Sequence, residues 1–223
     1  MKIRRLFQPA LPVALLLLML PAAAFAAKDE PAPSGPSLRV AVIPFVNTSD
    51  EIGATKIMED VLKGELKKID AKRATFLWPA DVERLLGDVD QLARIDKLDE
   101  KFSQFGTVDS AGIAGLDSLL MVDAVLLVKI SEWENHRVNV IGAGQSSATV
   151  ALQFALFNPR TRALIWTKKP REQRFSAELD ASSANVNYDE TGVIQRKSDN
   201  APPRYETVAA DLVRDAFKKF PRG

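Results

Sequence analysis

The sequence predicts an α/β domain: a small mixed sheet with a β-α-β start, a β-meander in the second half, flanking helices and a C-terminal amphipathic helix. Three observations lead there. Leu38–Val46 and Val122–Trp133 are apolar at most positions, which suits strands covered on both faces. Apolar residues at helical spacing fill the chain between them. From Tyr205 to Phe220, one apolar stripe steps by threes and ones, so this last helix packs on the sheet.

The elements follow in order. LRVAVIPFV is the first central strand, with Pro44 near its end where a lost backbone donor is tolerable. Asn47-Thr48-Ser49-Asp50 forms a polar turn with capping residues. Met58, Val61, Leu62, Leu66 and Ile69 mark a helix over about 52–69. Thr75–Trp78 is a short strand that completes the β-α-β crossover. Pro79 opens a second helical stretch, with apolar positions from Val82 to Phe102 and a break near Gly87. Asp109–Met121 reads as one helix with Ile113, Leu116, Leu119 and Leu120 on its apolar side. Ser147–Phe157 is a long strand, Asn158–Arg162 a hairpin loop by composition, and Ala163–Lys168 the antiparallel return. Residues 176–203 are polar and show no sustained period, so they read as a long loop or partly disordered insertion.

The start of the chain reads as an export signal. Lys2, Arg4 and Arg5 precede the apolar run Val13–Leu20, and Ala24-Phe25-Ala26 supplies an A-x-A site. Cleavage after Ala26 is expected; retention as an anchor is the alternative, because Ala10–Ala27 is nearly long enough to span a bilayer. Residues 27–37 then form a Pro/Ser-rich linker, and 38–223 a single domain. Without the three leader cations the chain keeps 27 basic and 29 acidic residues, a net charge of −2. That mild charge argues against a nucleic-acid partner.

The composition narrows the chemistry. With no Cys there is no disulfide, no thiolate metal site and no Cys nucleophile, and a single His leaves no multi-His site. No cofactor and no metal is therefore expected. His136 would be the general base of any hydrolase, beside Glu132 or Glu134, but no G-x-S-x-G supplies a nucleophile. Gly142-Ala143-Gly144 lacks the third Gly and the Lys of a phosphate loop and precedes a strand. Asp88, Asp90, Asp96, Asp99 and Glu100 are interleaved with Arg94, Lys97 and Lys101, which reads as a solvated, salt-bridge-laced face. Trp78, Trp133 and Trp166 stand at or near strand ends; they read as core caps, with a ligand groove as the alternative.

Val40-Ala41-Val42-Ile43-Pro44-Phe45 is similar to a recurring "V-A-V-x-P-F" strand of exported proteins. Leu119-Leu120-Met121-Val122-Asp123-Ala124-Val125-Leu126 is similar to their "l-l-g-a-D-A-v-l" entry to the central strand, and Ile130-Ser131-Glu132-Trp133 to "I-t-e-w". Phe157–Trp166 resembles "l-v-D-x-x-T-G-x-l-l-W" at the meander's hairpin. Over Leu38–Trp166 the chain resembles the exported family that includes the curli-secretion component CsgG, the penicillin-binding-protein activator lipoproteins and the TolB amino-terminal domain. The resemblance implies a non-enzymatic α/β protein that binds another cell-envelope protein. Homo-oligomers and peripheral envelope association are further implications.

The family often carries a lipid-bearing Cys after the signal. This chain has none, so a soluble periplasmic form is expected, not a lipoprotein. Pore-forming hairpins are not expected either, because 176–203 is too polar and irregular. The expected contact surfaces are the hairpin with Asn158, Arg160 and Arg162, the polar loop with Tyr188, and the exposed sheet edge. The alternatives are an envelope hydrolase using His136 and a small-molecule sensor with a Trp-lined groove.

Overall fold

A computed structural model describes residues 37–69, 73–137, 145–176, 186–188, 194–196 and 201–221. The strands are β1 (Leu38–Val42), β2 (Val46–Asn47), β3 (Ala74–Leu77), β4 (Ala124–His136), β5 (Ser147–Phe157), β6 (Leu164–Lys168), β7 (Arg171–Phe175), β8 (Val186–Tyr188) and β9 (Ile194–Arg196). The helices are α1 (Ala54–Leu66), α2 (Pro79–Leu86), α3 (Val89–Phe105), α4 (Ser110–Ile113), α5 (Leu116–Leu120) and α6 (Tyr205–Phe217).

The fold is a mixed α/β sheet of seven strands with helices on both faces. Its main path runs β3-β1-β4-β5-β6, with β2 also on β4 and β7 also on β5. β1 is parallel to β3 and β4, while β4, β5, β6 and β7 form an antiparallel meander. β1–α1–β3 is the expected β-α-β unit. The first apolar run is two strands rather than one: the chain leaves regular strand geometry at Ile43–Phe45, around Pro44, and β2 resumes farther along β4.

Each sheet face has its own core. Val40, Val42, Leu126, Val128, Ile130, Val150, Leu152, Phe154 and Leu156 pack with α1 and α6. Ala41, Ile43, Val125, Leu127, Ala155 and Phe157 pack with α2, α3 and the residues of 113–122. The alternation explains why β1, β4 and β5 read as continuous apolar runs. A bulge between Ile130 and Glu132 resets the alternation, so Trp133 joins Ile130 on the α6 face.

Three features depart from expectation. Residues 109–121 are two short helices, because Ala114 is extended and Gly115 takes φ +79. The Arg171–Phe175 strand was unexpected: four of its five residues are charged or polar, and it offers no apolar period. Within 176–203, where a loop is expected, β8 and β9 pair antiparallel as a separate two-stranded sheet. The leader, most of the linker and the Gly142–Gly144 turn lie outside the described residues.

Candidate functional site

The site is built on the outer margin of the sheet. β6 and β7 share one register with β5: Phe154 faces Lys168, Ala151 faces Arg171 and Ser147 faces Phe175. They are one long strand interrupted at Lys169-Pro170. The backbone fixes which groups point outward. Leu152 donates its N–H to Pro170 O at 2.9 Å, and Ser176 donates to Ser146 O at 2.7 Å. From Trp166 to Ser176 the even-numbered residues therefore bond to β5, and the backbone groups of Thr167, Gln173 and Phe175 point away from the sheet; Ile165 is the extra residue of a bulge opposite Leu156 and lies outside that alternation. Among the described residues no strand pairs with that side.

Pro170 does not block this edge. An edge-strand proline usually turns its missing donor to solvent. Here the missing donor lies on the β5 side, so the outer row is left intact. Ile165 is 41% exposed, Leu164 51% and Phe175 55%. Trp166, on the opposite alternation, anchors the strand beneath α6, with centroids 5.1 Å from Phe217 and 5.4 Å from Phe220.

Charge follows the edge. Between Asn158 and Phe175 the sequence has six cations and one carboxylate, Glu172. Three of the cations are committed. Arg171 bonds Glu132 across β5 at 2.9 Å. Arg174 bonds Glu172 at 2.6 Å and Asp211 of α6 at 2.7 Å, which holds the Asp211 carboxyl below its usual range. Arg160 lies 3.4 Å from Asp117. Arg162, Lys168 and Lys169 are exposed and make no ion pair among the described residues.

The expected site residues divide by role. Asn158 shapes the hairpin: its side-chain oxygen accepts from the N–H groups of Arg160 and Thr161, both at 2.9 Å. Arg160 and Arg162 project from that turn, Arg162 with φ +61. Tyr188 is in β8, and its side chain lies outside the described residues. His136 is exposed at the end of β4 opposite Ser147, and its side chain makes no hydrogen bond among the described residues. The Glu132 carboxylate is held by Arg171, and Glu134 is exposed.

The tryptophans belong to the α1–α6 core or pack against it. Trp133 is buried 5.2 Å from Tyr205, and Trp78 is 6.1 Å from Phe76. A groove of about 410 Å³ lies between α3 and α4, and several of its polar groups are engaged. Lys101 bonds Asp109 at 2.8 Å, and Arg94 caps the α4 carbonyls. On the same sheet face, Lys129 and Gln153 are paired in register and hold the α3 C-terminus through Ser103 O and Gly106 O.

Asp88, Asp90, Asp96, Lys97, Glu100 and Lys101 are exposed as expected, and one residue of that face departs. Asp99 on α3 is half-buried, and its Oδ1 is buried with no hydrogen-bond partner among the described residues. Burial, with Asp96 adding to it, pushes its carboxyl up to about 7. The outward row of backbone groups had no sequence signal, because β7 was not legible as a strand.

No helix among the described residues is long and apolar enough to cross a membrane, and none of their His, Asp and Glu residues form a metal-binding group of three. No protein-family model and no curated protein matches the chain. It is similar to the solved structure of lipoprotein GNA1162 from Neisseria meningitidis, with 19% identity over 65% of this chain and 88% of that one and a TM-score of 0.42. It is also similar to the PelC dodecamer from Paraburkholderia phytofirmans, with 14% identity, 82% and 91% coverage and a TM-score of 0.44. A third likeness is to the LpoB C-terminal domain from Escherichia coli, with 16% identity, 61% and 82% coverage and a TM-score of 0.37. At these scores none of them assigns a role to this chain.

Proposed function

We propose that the chain is an exported, non-enzymatic protein-binding factor of the cell envelope, and that it captures its partner along the β6–β7 edge. The observation that carries this reading is the outward row of unpaired backbone groups at Thr167, Gln173 and Phe175, flanked by the exposed apolar side chains of Leu164, Ile165 and Phe175. An open strand edge of this kind accepts an added strand: main-chain bonds hold the partner, and side chains on alternate positions select it. The export signal and the linker would place the domain where an envelope protein can reach it.

A photocrosslinker at Ile165 tests the reading in cells. Adduct formation with another envelope protein, absent from a crosslinker at the exposed Glu83 of α2, is expected. Adducts from both positions alike, or from neither, would refute it.

A further inference from the structure

We propose that the edge takes an extended acidic segment of the partner protein, added as a strand beside Ile165–Thr167 with its carboxylates on Arg162, Lys168 and Lys169. This rests on the protein-binding reading above and adds the chemistry of what is bound.

The charges are placed for such a segment. Arg162 stands at one end of β6 and Lys168-Lys169 at the other, six to seven residues apart. At about 3.3 Å per residue, that separation is about 20 Å of extended chain. None of the three has an ion-pair partner among the described residues, and no acidic residue occurs from Asn158 to Arg171. Lysines on a strand edge discourage neutral or basic strands from pairing there. They favour an acidic one, so the same residues that prevent indiscriminate pairing select the ligand. The exposed Leu164 and Ile165 offer apolar contact to alternate residues of the incoming strand. Hydrogen bonding runs through Thr167, whose outward backbone donor takes no part in the β5 ladder, beside the bulge at Ile165.

The test uses the purified chain and blocked, fluorescein-labelled eight-residue peptides of alternating Glu and Val, or Lys and Val. Saturable anisotropy is expected with the Glu peptide at low salt and not with the Lys peptide. The triple change Arg162→Glu, Lys168→Glu, Lys169→Glu should weaken the Glu peptide at least tenfold and bring in the Lys peptide. Thr167→Pro removes an outward donor while sparing the backbone bonds to β5, though it also loses the hydroxyl bond to Phe154 O at 2.9 Å, and should cost at least tenfold. Thr167→Val, the control for the lost hydroxyl, should bind normally.

Equal binding of both peptides, tighter binding of an oligothymidylate, or full binding by Thr167→Pro would overturn the inference. If the Ile165 crosslink forms but the triple reversal changes nothing, the acidic chemistry falls and the docking edge stands. If the peptide behaves as expected but no envelope adduct forms, the cellular reading falls instead.

Discussion

Arg171 on β7 reaches over Ala151 on β5 to grip Glu132 on β4, with its Nε 2.9 Å and 3.1 Å from the two carboxylate oxygens. Ala151 is in register with both partners, so the three lie in one row across the sheet. Strands two apart are separated by about 10 Å, and a small central residue lets the long side chains meet over it. Ala151→Phe should therefore part the ion pair and overpack a position that is 7% exposed. A loss of about 1–3 kcal/mol in urea unfolding is expected. Arg171→Ala, at the exposed end of the row, should cost little and should mostly abolish the salt dependence of stability contributed there.

Asp99 makes stability depend on pH in an unusual direction. Its carboxyl is raised from 3.8 to about 7 by burial and then by Asp96. Between those values the folded chain keeps a proton that the unfolded chain has lost. Stability therefore falls as pH rises from about 4 to 7, and the full penalty applies above 7. Asp99→Asn should be more stable than the parent at pH 8, on the order of 2–4 kcal/mol from the size of the shift. The gain should vanish near pH 4. Urea midpoints at pH 4, 6 and 8 check this, and a constant difference across the series would contradict it.

Met121 ends α5 in the left-handed region with φ +52, although it is 70% exposed and little packing holds it. Only glycine takes this conformation without a steric cost. Met121→Gly should raise stability by about 0.5–1 kcal/mol, the relief of strain less the extra freedom of the unfolded chain. A lower unfolding midpoint would show that the Met side chain supplies packing that its exposure does not reveal.

Two glycines should respond in opposite directions. A Cβ on Gly112 would come within 2.6 Å of Leu98 Cδ2, a side chain buried beneath α4. Gly112→Ala should cost about 1–3 kcal/mol. Gly64 sits inside α1 with nothing within 4 Å of the position a Cβ would take. Gly64→Ala should add about 0.5–1 kcal/mol, the helix-propensity difference. Thermal unfolding of the two variants beside the parent reads both signs.

Much of the fold was legible because its elements obey one period each. The α6 stripe, the doubly covered strands and the Gly87 break, which takes φ +52, follow from the residues alone. The Gly115 break was missed because Ile113, Leu116 and Leu120 keep helical spacing and are all buried across the kink. β7 was missed because its long polar side chains pair with one another, with β4 and with α6, so neither of its faces is apolar. That omission hid half of the candidate edge. The hairpin residues Asn158, Arg160 and Arg162 were readable as a turn. Their separation into one shaping side chain and two projecting cations needed the hydrogen bonds.

The most direct test of the docking edge is photocrosslinking in cells from Ile165, carried out in the parent and in the Thr167→Pro background. The expected result is a discrete adduct with another envelope protein, lost in the proline variant while the chain stays folded and at parent levels. An adduct that persists undiminished in Thr167→Pro, or one that never forms from this edge, would contradict the claim that β6 binds its partner through added-strand pairing.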